Sequence, residues 1–355
     1  MSEKILMKGN EAIGEAAVVA GCRHYFGYPI TPQSELIEYM ARRMPQVDGV
    51  FLQAESEISA INMVYGAAGA GKRVMTSSSS PGISLKLEGI SYIAGAQLPC
   101  VIVNMMRGGP GLGSIQPGQA DYFQATKGGG HGDYRNIVLA PNSVQEMADV
   151  TIDAFDLADK WRNPVMILGD GALGQMMEPV DFKESTVKPV GKPWAAVGMH
   201  GRKTHNVINS LFLQPEMCER HNQELQKKYS AIEATETRWQ SIQTDDAEMI
   251  LVAYGITSRI ALTAMAKARS EGLKVGMLRP KTLWPFPSKP LAKLSKSAKS
   301  FLVFEMSAGQ MVEDVRLAVN GARPVYFHGR TGGMLPTPKE LYDEILKVAR
   351  CEGGK

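Results

Sequence analysis

Short apolar runs recur along the chain with room for one helix between each pair. Residues 24–28, 50–53, 73–76, 100–106, 136–140 and 164–168 read as strands. Between them helical spacing takes over: Ile58, Ile61, Val64 and Ala68 recur every three or four positions and mark one buried helix face. Helices are expected at 10–20, with Asn10 as N-cap and Gly21 as the stop. Another opens at Thr31-Pro32, with proline at its first position, and others lie near 83–95 and 143–160. Short apolar strands alternating with helices imply a parallel sheet covered on both faces.

The alternation breaks near Pro179. Residues 181–246 read as a linker or insertion holding a charged helical stretch from about 215 to 239. It resumes with strands near 249–253, 274–278, 301–305 and 324–328, separated by helices near 257–271, 288–296, 309–320 and 337–349. The expected fold is α/β, with two doubly wound parallel-sheet domains over 1–180 and 247–350.

Composition narrows the picture. A chain of 355 residues suits two domains at roughly 150 residues each. Lys plus Arg number 39 against 36 Asp plus Glu, so the net charge is only +3 and no concentrated basic face for nucleic acid is expected. Apolar runs such as Cys100-Val101-Ile102-Val103 are far too short to span a bilayer. The first ten residues carry Glu3, Lys4 and Lys8 and do not read as a signal peptide. Cys22, Cys100, Cys218 and Cys351 are dispersed, with no CxxC, so neither an iron–sulfur or zinc site nor a disulfide framework is expected on this chain. A cytoplasmic protein is expected.

Ligands of open α/β sheets bind at the carboxyl ends of the strands. Four segments of the first half fall there: Gly27-Tyr28-Pro29-Ile30-Thr31-Pro32, Gln53-Ala54-Glu55-Ser56-Glu57, Thr76 to Gly82, and Arg107 to Gly113. Thr31 reads as a helix N-cap or as a ligand contact, and one residue can serve both. Glu55 and Glu57 suit the first turn of a helix through its dipole. A carboxylate leading into Ile58, Ile61 and Met63 suits proton work if buried. Two residues apart, the pair points about 200° apart on a helix, so only one can face a given pocket; Glu57, beside Ile58, is the candidate. Arg107, at the base of a glycine-rich loop, suits a bidentate grip on a carboxylate or a surface salt bridge. His131 stands alone and reads as structural.

Together these segments resemble the alpha subunit of 2-oxoacid:ferredoxin oxidoreductases. The resemblance runs through Met7 to Ala12, Gly27 to Pro32, Ala54 to Glu57, Thr76 to Gly82, Arg107 to Pro110 and His131 to Asp133. It continues in Gly329 to Gly333 and Pro336 to Pro338. Gln53 to Glu57, Ser77 to Leu85 and Gly111 to Pro117 look like the 2-oxoisovalerate, branched-chain type, with 2-oxoglutarate and pyruvate as alternative substrates. A non-catalytic assembly subunit on the same fold is the remaining alternative.

The resemblance implies a pyrimidine-side thiamine diphosphate domain followed by a transketolase C-terminal-like domain. It implies Glu57 as the carboxyl at the pyrimidine ring nitrogen, with Pro29 and Ile30 also at the cofactor, and Thr31 and Arg107 at the substrate. Thiamine diphosphate is then expected at the interface with a beta subunit that holds its diphosphate and Mg²⁺. Iron–sulfur clusters are expected on gamma and ferredoxin-like delta partners, with ferredoxin, the 2-oxoacid and coenzyme A as reactants. Gly169-Asp170-Gly171 matches the opening of the metal–diphosphate motif, but no asparagine follows in the window around 198–201. It reads as a strand-end turn, and no metal is expected on this chain.

Overall fold

The computed structural model describes residues 4–183 and 190–353. Its strands in chain order are β1 (Ile5–Lys8), β2 (His24–Gly27), β3 (Val50–Gln53), β4 (Val74–Ser78), β5 (Cys100–Met106), β6 (Ile137–Leu139) and β7 (Pro164–Asp170). They continue as β8 (Met177–Val180), β9 (Trp239–Ile242), β10 (Met249–Val252), β11 (Val275–Pro280), β12 (Thr282–Trp284), β13 (Ser300–Glu305) and β14 (Val325–Gly329).

Among the described residues these strands form two large sheets and one small pair. The first sheet has the order β12-β6-β7-β5-β4-β2-β3, and the second β14-β13-β10-β11-β9. From β6 to β3 every pairing is parallel. The buried residues of β5 and β7 alternate with nothing polar but Asn104 and Asp170, as a strand covered on both faces requires. Helices Glu57–Gly69, Ser80–Gly95 and Val144–Trp161 supply part of that cover. A continuous apolar core runs from Ala12 and Ile13 through Val101, Val103 and Ile167 to Tyr254 and Met306, so the two halves share buried surface.

The structure departs from the sequence reading at four places. Both sheets carry an antiparallel edge. β12, from the second half of the chain, pairs with β6 of the first sheet, and β9, inside the expected linker, pairs with β11. β1 and β8 form an antiparallel pair that the alternation did not signal. Asn10 is not the N-cap; that position is Lys8, and Asn10 is buried, its Nδ2 donating to Pro32 O at 2.9 Å and Glu35 Oε2 at 3.1 Å. The helix expected from Thr31-Pro32 begins at Ser34 instead, with Thr31 and Pro32 in a turn ahead of it. Part of the expected linker, residues 184–189, lies outside the described residues.

Candidate active site

Four carboxyl-end segments meet on the run Ser77-Ser78-Ser79-Ser80, where β4 passes into the helix Ser80–Gly95. Ser77, Ser78 and Ser80 each face a different neighbour. Ser77 Oγ donates to Gln33 Oε1 at 2.5 Å and lies 2.6 Å from Tyr25 Oη. Gln33 Nε2 in turn donates to Tyr28 O at 3.2 Å, which ties the Gly27–Pro32 turn to the sheet. Ser78 Oγ lies beside Glu57: a Cβ added at Gly82 would strike both Ser78 Oγ and Glu57 Oε1. Ser80 Oγ accepts from Arg107 N at 3.0 Å and donates to Asp121 Oδ2 at 2.6 Å.

The two glutamates part company as their spacing implies. Glu55 is exposed, and its carboxylate accepts from Ser56 Oγ at 2.7 Å and Ser59 Oγ at 2.5 Å; these hydroxyls hold its pKa below the usual carboxylate range. Ser56 caps the following helix by accepting from Ser59 N. Glu57 opens that helix and is buried at 5% exposure. Its carboxylate accepts no hydrogen bond from the described residues.

Arg107 is a buried cation without an ion pair among the described residues, which removes the surface salt-bridge reading. Its Nη1 donates to Thr31 O at 3.0 Å and its Nη2 to Leu112 O at 2.8 Å, while Nε has no partner. Thr31 itself is exposed and reaches Arg107 through its carbonyl. Pro29 is exposed and Ile30 half-buried on the same turn. Burial raises the pKa of Asp121, against the hydroxyl of Ser80, the amide of Asn104 and the charge of Arg107.

A cavity of about 590 Å³ opens beside Arg107, between Ser80, Pro81 and Asp121 of the first half and Met306 to Gln310 of the second. Gly108 packs directly on the Gly332–Gly333 backbone, where a Cβ would collide, so glycine brings the two loops together at its rim. A buried guanidinium beside a cavity, with unused N–H donors and no counter-charge, suits an anion, since an uncompensated charge is costly to bury. Ser78 Oγ and Ser79 Oγ are likewise buried without partners. These free donors, together with the unshared Glu57 carboxylate, fit a polar heteroaromatic ring and a small carboxylic acid rather than a metal. No group of His, Cys, Asp and Glu able to hold a metal ion occurs among the described residues.

Asp170 caps the helix Gly171–Gln175 and accepts from Ala172 N at 3.1 Å, Leu173 N at 3.0 Å and, across the halves, Ile256 N at 3.1 Å. That is the strand-end turn expected for it. Burial pushes its pKa up to about 6. His131 is exposed and meets the Tyr92 ring edge-on. No helix among the described residues is long and apolar enough to cross a membrane.

Sequence reasoning missed Gln33, Asn104, Asp121 and Lys86. The signals were there. Asn104 interrupts an apolar strand, and Lys86 sits between Ile83 and Ile90 at helical spacing on a buried face.

Known proteins resemble this chain over nearly its full length. A family described as pyruvate flavodoxin/ferredoxin oxidoreductase, thiamine diphosphate-binding, matches residues 15–243, and pyruvate:ferredoxin oxidoreductase core domain II matches 247–341. The ketoisovalerate oxidoreductase subunit VorB of Methanothermobacter marburgensis is 54% identical over 97% of both chains. The 2-oxoglutarate synthase subunit KorA of Methanothermobacter thermautotrophicus is 35% identical over 99% of this chain and 100% of its own. A solved 2-oxoglutarate:ferredoxin oxidoreductase from Magnetococcus marinus, with 2-oxoglutarate, coenzyme A and succinyl-CoA bound, superposes with a TM-score of 0.85 at 28% identity. The superposition covers 98% of this chain and 65% of that one. The chain therefore belongs to the pyruvate flavodoxin/ferredoxin oxidoreductase family and is a subunit of a thiamine diphosphate-dependent 2-oxoacid:ferredoxin oxidoreductase.

Proposed function

We propose that this chain is the alpha-type subunit of an enzyme that oxidatively decarboxylates a branched-chain 2-oxoacid, 2-oxoisovalerate in the first instance. The products are the acyl-CoA and CO₂, with two electrons passed singly to ferredoxin. The VorB relatives named for ketoisovalerate support the substrate. The observation that carries the site is the serine run that joins the Gly27–Pro32 turn, Glu57 and Arg107 while leaving Ser78 Oγ, Ser79 Oγ and Arg107 Nε free.

Thiamine diphosphate, when bound, supplies the attacking carbon and the electron sink for decarboxylation. Glu57, with Pro29 and Ile30, would hold the cofactor ring, the Glu57 carboxyl offering the group that shares a proton with the ring nitrogen. The dry surroundings of Glu57 keep water from competing for that proton. Arg107 grips the substrate carboxylate through the guanidinium N–H groups not used by Thr31 O and Leu112 O, which hold it in place. Thr31 faces the keto group. A beta subunit supplies the diphosphate and Mg²⁺ side of the cofactor site, and gamma and ferredoxin-like delta subunits carry the iron–sulfur clusters. The scattered cysteines of this chain fit that division.

The assembled enzyme tests the reading. Ferredoxin reduction should show a higher kcat/KM with 2-oxoisovalerate and coenzyme A than with 2-oxoglutarate or pyruvate; the reverse ranking overturns the substrate assignment.

A further inference from the structure

Helices Glu57–Gly69 and Ser80–Gly95 interlock through small residues. A Cβ at Gly82 would meet Glu57 Oε1, and one at Gly89 would meet Ile61. Gly82, Lys86 and Gly89 lie on one helix face at spacings of four and three, as Glu57 and Ile61 do on the other helix. Lys86 therefore sits in the seam between them. It is fully buried, and its Nζ donates to Thr76 Oγ1 at 2.5 Å.

An ammonium carries three donors and a hydroxyl carries no charge, so Thr76 alone leaves this cation uncompensated. From the elements packed around it, the charged or titratable groups facing Lys86 are Glu57 and Cys100. Burial pushes the Cys100 thiol up to about 12 and so keeps it neutral. Glu57 is the one anion of the two. Burial brings the Lys86 pKa down to about 7, and the Glu57 carboxylate acts against that fall.

We propose that Lys86 is a positioning residue for Glu57: from beyond ion-pair distance its ammonium is the buried counter-charge that orients the carboxylate in the helix seam, beside Ser78, leaving it open to the cofactor. This rests on the reading of Glu57 as the cofactor-facing carboxyl. No substrate or cofactor atom needs to touch Lys86; it acts from behind.

The test uses the assembled enzyme and two readouts. In cofactor-free enzyme labelled with ¹³Cε-lysine, Lys86 should titrate near neutrality. Glu57→Gln should lower that titration by about one pH unit or more, the size of effect an opposite charge nearby produces. In the loaded enzyme, Lys86→Met should slow proton exchange at the reactive cofactor carbon about tenfold or more and remove the limb of its pH profile near neutrality. Lys86→Arg, which keeps the charge, should restore most of the rate. On a Glu57→Gln background, Lys86→Met should cause no further loss, because both changes break one unit. A Lys86 titration indifferent to Glu57→Gln, or a Lys86→Met loss equal in both backgrounds, overturns the proposal. Glu57→Gln with normal exchange overturns the Glu57 reading itself, so the two failures are told apart.

Discussion

The carboxyl ends of the two parallel sheets are built alike and finished differently. In the second half, the strand β13 ends in Glu305, which accepts from Gln310 N, Met311 N and Val312 N and from Ser307 Oγ. The N-terminus of the helix Met311–Val319, where a ligand anion would bind, is thus filled by the protein's own carboxylate. Burial raises the Glu305 pKa, and the backbone donors pull it down. Gln119 closes the same region, accepting from Thr257 Oγ1 at 2.8 Å and Met306 N at 3.0 Å and donating to Tyr254 O at 3.0 Å.

In the first half the corresponding ends are left open. Every buried side-chain polar atom without a partner among the described residues lies before residue 230, and Ser78 Oγ, Ser79 Oγ and Arg107 Nε are among them. A satisfied carboxyl end stiffens a junction; an unsatisfied one is held ready for something that is not protein. The shared β-strand topology therefore does not say which sheet carries the chemistry. The partners of the buried polar atoms do.

That contrast predicts opposite signatures for substitutions on its two sides. Arg107→Ala removes the free cation and should raise the KM for 2-oxoacid. Loss of a charge-assisted pair in a shielded site costs about 2–5 kcal/mol, or roughly one and a half to nearly four powers of ten in kcat/KM. The melting temperature should fall by less than in Glu305→Ala, since Thr31 O and Leu112 O lose a donor but no ionic partner is left behind. Steady-state kinetics with a melting curve checks both halves of that statement, and an unchanged KM would place Arg107 with the structural groups.

Glu305→Ala should do the reverse. Each buried N–H left without an acceptor costs about 1–3 kcal/mol, so the melting temperature should drop by several degrees. The KM for 2-oxoacid should stay within about twofold, a difference below 0.5 kcal/mol. A large rise in KM with unchanged stability would erase the distinction between the two carboxyl ends.

Asp170 bridges the halves and gives a smaller, pH-dependent effect. Its pKa stands at about 6 against an ordinary 3.8, raised by burial. The folded chain therefore holds this proton more tightly than the unfolded chain. The stability it contributes is fully present below the ordinary value and is lost as pH rises toward about 6. The change is on the order of 2–3 kcal/mol. Asp170→Asn should flatten that part of the stability curve; denaturant melts at pH 4, 5 and 6 would show it, and an unaltered slope would mean the proton sits elsewhere.

Much of this fold was legible because buried strands and helix faces write themselves in apolar spacing. The runs at 100–106 and 249–253 and the face Ile61, Val64, Ala68 lie where the pattern put them, but Ile58, expected on that face, is 51% exposed, and Ala60 is buried with Ile61 and Val64 instead. β12 was not legible: three residues between Pro280 and Pro285 look like a turn, and only the tertiary fold returns them to the edge of the first sheet. The start of the helix after Thr31 was misplaced because proline at a first helical position and proline in a turn look the same in sequence. At the site, Glu57 and Arg107 stand out by residue type and place. Gln33, Asp121 and Lys86 do not, because their roles come from neighbours distant in the chain: Ser77, Ser80 and Glu57. Lysine in particular reads as solvent-exposed until its helix face is known to be buried.

The central claim is that Glu57, rather than its exposed neighbour Glu55, activates the cofactor. Hydrogen–deuterium exchange at the reactive carbon of bound thiamine diphosphate, in the assembled enzyme, measures that activation before any substrate is involved. Glu57→Gln keeps the shape and removes the ionisable group, so the cofactor should still bind while exchange slows by roughly two to four powers of ten. Glu55→Gln, which only loosens the contacts with Ser56 and Ser59, should leave the rate near that of the unaltered enzyme. Exchange abolished by Glu55→Gln and preserved in Glu57→Gln would contradict the account and exchange the two roles.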